Sequence, residues 1–206
     1  MQNHADKQEK VLSQITEKNI EGRDFSGCDL SGIDLRGIDL SRINFKGADL
    51  RSANLSGAIL TGANLREANL QQVNFCDADL SQADLTQANL CAACLWRVQL
   101  SGSKLWGASL CNADLREADL SAAQLIEASL VEANLVRANL TKAKLCGSVL
   151  IEANFNQANL TDADLKWTNL MAANFSEANL ENANFKNAKY HETIMPDGTI
   201  RVDLKR

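Results

Sequence analysis

The chain has 206 residues, 45% of them hydrophobic and 23% charged, with a formal net charge of −5. That length supports one domain, or one rod with end caps, around a sizeable core. The mild acidity leaves no basic footprint for direct contact with nucleic acid, and no run approaches the roughly 20 apolar residues of a membrane helix.

Residues 1–21 read as an N-terminal cap. The opening ten residues lack the apolar stretch of a signal peptide, so the expected location is the cytoplasm. Within residues 5–18, Val11, Leu12 and Ile15 mix with charged positions as a short capping helix does.

From Phe25 to Tyr190 every fifth residue is Leu, Phe or finally Tyr, which makes 34 consecutive pentapeptides without an insertion. Two positions before most of them stands a small residue, usually Ala, as in Ala63-Asn64-Leu65. On an α-helix, residues five apart are rotated by about 140°, so these leucines would scatter around the cylinder. On a straight strand an odd spacing would send successive leucines to opposite faces. The chain therefore turns once per repeat. A short extended segment points the small residue and the Leu inward and the intervening Asp or Asn outward, and the next two residues make a corner.

The number of sides follows from the columns. Ser41, Thr61, Ser81, Ser101, Ser121, Thr141 and Thr161 form a ladder of period 20. All six phenylalanines (Phe25, Phe45, Phe75, Phe155, Phe175 and Phe185) fall on two opposite walls of a coil of four pentapeptides. The run from 22 to 190 resembles the pentapeptide-repeat family. That resemblance implies an all-β fold, a right-handed quadrilateral parallel β-helix. Over four sides the repeats give about 8.5 coils, and a strand spacing of about 4.8 Å makes the rod roughly 41 Å long. Ile33, Ile38 and Ile43 replace Ala in the early coils, where altered packing is expected.

Residues 191–206 read as a C-terminal cap, with a turn at Pro196-Asp197-Gly198 and a strand through Ile200, Val202 and Leu204. Such caps protect the exposed edges of a solenoid from end-to-end assembly. The segment Thr193-Ile-Met-Pro-Asp-Gly-Thr-Ile200 is similar to the endings of cyanobacterial family members.

No constellation points to catalysis, and no cofactor is expected. The two histidines, His4 and His191, lie outside the repeats and read as surface residues. Asp34, Asp39, Asp79 and Asp119 occupy the outward position, where Asp or Asn is the structural default. Cys91-Ala-Ala-Cys94 has metal-motif spacing but stands in register with the repeat and lacks a second pair, so no metal is expected. All six cysteines are expected as reduced thiols, with Cys91 and Cys111 stacked on adjacent coils as the pair open to oxidation.

One wall stands apart. Its first corner carries Trp106, Ile126 and Cys146, its middle Ser109, Ser129 and Val149, and its far corner Cys91, Cys111, Val131, Ile151 and Met171, with Trp167 beside the first corner. A contiguous apolar strip of this kind is an interface signal, for a protein partner or a homodimer. Trp106, Ile126, Val131, Val149, Ile151, Trp167 and Met171, with Cys91 and Cys111, are the candidate contact residues. The resemblance implies an alternative, a mimic of duplex DNA that binds DNA gyrase or topoisomerase. The net charge of −4 between Arg23 and Lys189 argues against it, because duplex DNA of that length carries on the order of 24 negative charges. A purely structural rod is the third reading.

Overall fold

In the computed structural model, which describes Val11, Ser13, Ile15 and residues 24–202, the chain winds as a four-sided parallel β-solenoid. Each outward residue bridges in parallel to the one twenty positions later, from Asp24 with Asn44 to Asn174 with Ile194. Four pentapeptides therefore complete one coil. Pairing is confined to that single residue per side, so the walls are ladders of isolated bridges rather than extended strands.

The repeat sequence follows from where its five backbone amides go. In residues 64–68, Asn64 N donates to Ile43 O on the preceding coil at 2.9 Å, while Leu65 N and Glu67 N donate to Asp84 O and Thr86 O on the next at 2.7 and 2.9 Å. Ala68 N closes the corner onto Leu65 O at 3.2 Å. The remaining amide, Arg66 N, has no carbonyl to meet and donates to the Asn64 side-chain oxygen at 3.3 Å. An outward Asp or Asn is thus the group that satisfies the first corner amide, in the manner of an Asx turn.

The second corner residue of every repeat from Gly27 to Glu192 has positive φ, and most of these residues are not glycine. Glu67 (φ 58°) and the bulky Trp167 (φ 61°) both adopt it. For a non-glycine residue the left-handed region costs roughly 1–2 kcal/mol. The bond that the same residue's amide makes to the next coil contributes about 0.5–1.5 kcal/mol in return.

Inside, the Leu anchors and the small residues are buried through the body of the rod and partly buried in its last coil, at Leu180, Ala183, Phe185 and Ala188, and the phenylalanines contact along and across it. Ile33 and Ile43 are fully buried and Ile38 partly so. The small position also admits Ser103 and Thr168, whose hydroxyls donate to Leu100 O and Leu165 O at 2.7 Å each. Ser148 occupies the same kind of site but its buried hydroxyl has no partner. We therefore expect Ser148→Ala to raise stability by about 1–2 kcal/mol. Ser103→Ala should give no gain. Urea melts of the two variants compare them directly, and equal shifts would contradict the assignment.

At the C-terminal end Thr193–Ile194 (β1) pairs antiparallel with Ile200–Arg201 (β2), Thr193 opposite Arg201 and Ile194 opposite Ile200. The expected turn joins them: Gly198 N donates to Met195 O at 2.9 Å, and Thr199 N to the Asp197 carboxylate at 3.0 Å. β1 also continues the ladder, since Ile194 bridges to Asn174. Of the strand expected through Ile200, Val202 and Leu204, Ile200 pairs and Val202 does not, both stand exposed, and Leu204 lies outside the described residues. At the other end Val11, Ser13 and Ile15 are helical and Ile15 is buried against the core. The rest of the cap expected over residues 1–21 lies outside the described residues. No helix among the described residues is long and apolar enough to cross a membrane.

Candidate binding walls

The outward carboxylates are committed to the backbone. Asp24, Asp39, Asp79 and Asp119 each accept the amide two residues on, at 2.8–3.0 Å. Several also pair with a cation at the first corner: Asp34 with Arg36 and Asp114 with Arg116 at 2.6 Å, Asp164 with Lys166 at 3.0 Å. The Arg36 and Arg116 guanidiniums hold Asp34 and Asp114 below the ordinary carboxylate range. At Asp79 partial burial pushes the carboxyl up, but the Ser81 hydroxyl and amide and the Thr61 hydroxyl outweigh it, and the net shift is downward. Carboxylates held ionised in this way are poor proton donors and poor bases at neutral pH. His191 is exposed at the end of the repeats, and His4 lies outside the described residues. Among the described residues no three His, Cys, Asp or Glu side chains converge as a metal would need.

The strip anticipated on the Ser109 wall is assembled as its columns require. Gly107 N donates to Ile126 O and Glu127 N to Cys146 O, which stacks Trp106, Ile126 and Cys146 on successive coils. Asn112 N, Glu132 N and Glu152 N donate to Val131 O, Ile151 O and Met171 O, which stacks Cys111, Val131, Ile151 and Met171 on the far corner. Ser109, Ser129 and Val149 bridge in order between the two corners.

Exposure divides these residues. Trp106, Trp167 and Met171 are 49%, 63% and 39% exposed. Cys91, Cys111, Ile126, Val131, Val149 and Ile151 are only half-buried, because a residue in a column is covered from above and below by its own neighbours. The strip is therefore a half-covered floor with tryptophans and a methionine standing out of it. Below Cys91 the far-corner column turns polar, where Gln71, Arg51 and Ser31 line an open groove of about 640 Å³. Ile59 is exposed on the opposite wall between Asp39 and Asp79.

The cysteines correct one expectation. Cys76 and Cys94 form a disulfide with a Cα–Cα distance of 5.8 Å, so not all six are reduced thiols. The link joins a first-corner residue to the outward residue of the next coil, and period-20 stacking does not place those two side by side. Cys91 and Cys111, the pair expected to be open to oxidation, are free thiols, as are Cys28 and Cys146.

The profile of the family described as "Pentapeptide repeats" matches the chain in 8 copies, over residues 24–62, 58–97, 93–130, 118–148, 133–170 and 168–189. Among solved structures the chain is similar to HetL, a pentapeptide repeat protein involved in heterocyst differentiation regulation from the cyanobacterium Nostoc. The identity is 30% over 94% of this chain and 98% of that one, with a TM-score of 0.43. It is also similar to a trypsin-treated form of QnrB1, a plasmid-mediated fluoroquinolone resistance protein. There the identity is 19% over 81% of this chain and 86% of that one, with a TM-score of 0.72. A pentapeptide repeat protein of the cyanobacterium Cyanothece, Rfr23, is 22% identical over 89% and 99% of the two chains, with a TM-score of 0.30. No curated protein matches the chain.

Proposed function

The chain belongs to the pentapeptide-repeat family, and from that premise we propose that it is a non-catalytic scaffold whose Ser109 wall binds a second protein surface. The carrying observation is that three large exposed side chains, Trp106, Trp167 and Met171, gather on one wall, while the remaining exposed large apolar side chain of the repeats, Ile59, stands alone on the opposite wall. Trp167 is the sharpest case. It stands at a positive-φ corner where glycine is the residue of least strain, and its ring covers no core. Exposed aromatic anchors beside half-buried aliphatic floor match the composition of protein interface hot spots. Residues 1–21 and 191–206 serve this reading as caps that keep the rod from stacking end to end.

Mimicry of duplex DNA has less support. The likeness to QnrB1 concerns the fold alone. Arg36, Arg51, Arg116 and Lys166 neutralise outward carboxylates, and Arg97 the corner carboxylate of Asp77, that a mimic needs unpaired.

The test is the double variant Trp106→Ala/Trp167→Ala together with Ile151→Glu. Both should keep the wild-type circular-dichroism spectrum, because none of these side chains is core. Each should weaken self-association in sedimentation, or binding of a cross-linked partner, by about 2 kcal/mol or more, roughly 30-fold. Binding unchanged in both variants would dispose of the interface.

A further inference from the structure

The Ser109 wall carries a second feature, a pair of thiols. Cys91 and Cys111 occupy the same corner column one coil apart, with Ala92 N bonded to Cys111 O at 2.8 Å. Ser109 Oγ lies between the two thiols, 3.0 Å from Cys91 Sγ and 3.5 Å from Cys111 Sγ, and Ser129 Oγ lies 3.2 Å from Cys111 Sγ. Both cysteines are half-buried and reachable from solvent. Neither Cys28 nor Cys146 has a cysteine twenty residues away in its column.

We propose that Cys91 and Cys111 are a redox couple, in which Cys111 reacts with a low-molecular-weight disulfide such as oxidised glutathione and Cys91 resolves the product into a cross-coil disulfide. Neighbouring coils stand about 4.8 Å apart, which is within the Cα–Cα range of about 4.4–6.8 Å that a disulfide spans. The Cys76–Cys94 link joins adjacent coils of this rod on the diagonal, eighteen residues apart, and a Cys91–Cys111 bridge would join them along a column. Burial raises the Cys111 thiol, but the Ser109 and Ser129 hydroxyls, the Cys91 thiol and the backbone at Val131 outweigh it and leave it below the ordinary thiol range. A thiolate is the attacking species in exchange, so Cys111 takes the first step.

The chemistry closes without a further reagent. Cys111 thiolate attacks one sulfur of oxidised glutathione, the glutathione S–S bond breaks, and one glutathione thiolate leaves as the mixed disulfide forms. Cys91 gives its proton to solvent and attacks the Cys111 sulfur, releasing the second glutathione. Two protein thiols are oxidised by two electrons and one glutathione disulfide is reduced to two thiols. The couple stands on thiol geometry and does not depend on the proposed interface.

The experiment uses the full chain with Cys76–Cys94 intact, incubated with oxidised glutathione. Of the four free thiols, two should be lost, and trypsin should yield residues 67–97 joined to residues 105–116. Cys91→Ser should instead hold one glutathionyl group on Cys111 with no joined peptides, and Cys28→Ser/Cys146→Ser should cross-link in wild-type yield. A stable glutathionyl group on Cys111 of the wild type, or joined peptides surviving in Cys91→Ser, would overturn the proposal.

Discussion

Replacing Phe155 with alanine should lower stability by about 3–5 kcal/mol, read as a fall in the urea midpoint. Phe155 is fully buried and stacks on Phe175, with ring centroids 4.8 Å and planes 7° apart. Phe175 meets Phe185 of the opposite wall edge-on at 6.0 Å, so these rings fill the cross-section of the last coils. Alanine at position 155 leaves a void bounded by rigid backbone ladders that cannot collapse into it. Leucine, the anchor of most repeats, should instead stay within about 1.5 kcal/mol of wild type. Each coil touches only its neighbours, so amide exchange should accelerate around residues 135–175 and stay unchanged around Phe45. Alanine and leucine variants of equal stability would show that ring packing is not what the site supplies.

The second large effect is expected at the cross-coil disulfide. Cys76→Ser/Cys94→Ser should lose about 2–4 kcal/mol, the range typical of a native disulfide closing a loop of this size. The two residues lie 18 apart in sequence, so their link restrains nearly a full coil in the unfolded chain. Wild-type protein under a reducing agent should melt where the double variant melts, while the double variant should ignore the reductant. A double variant as stable as the oxidised wild type would mean that the ladder alone holds these coils. Links of this kind persist in oxidising compartments and are rare in reducing ones. The reductant series therefore also bears on the cytoplasmic location expected from the sequence.

The four-sided coil was legible because two signals are independent of each other. Leu at every fifth position demands one turn per repeat, and the Ser/Thr column from Ser41 to Thr161 demands four repeats per coil. The outward Asp and Asn were legible as a default but not as a cause. Their reason appears only when the amide of the first corner, such as Arg66 N, is seen to have no carbonyl to meet. Left-handed backbone at Glu67 or Trp167 was hidden because propensity assigns that conformation to glycine, whereas here the ladder bonds on both sides impose it. The Cys76–Cys94 disulfide, where reduced thiols were expected, escaped the sequence for a geometric reason. First-corner side chains lean onto the outward residue eighteen positions later, as Thr61 does onto Asp79 at 3.0 Å and Cys91 onto Ser109. Period-20 columns pair Cys91 with Cys111, and the diagonal pairs Cys76 with Cys94. Exposure within the strip was overstated for the same reason: Val131 and Ile151 each shield the other, while Trp106, Trp167 and Met171 rise clear of it.

The Cys76–Cys94 link also bears on how the rod yields to tension. Pulled by its termini, a solenoid unzips coil by coil, because each holds only to its neighbours. A covalent tie between adjacent coils takes the chain between Cys76 and Cys94, a separation of 18 positions, out of the load path, so roughly 60 Å of chain cannot be released by stretching. The molecule then behaves as two extensible segments joined by an inextensible knot, and reduction of one bond converts it into a single continuous spring.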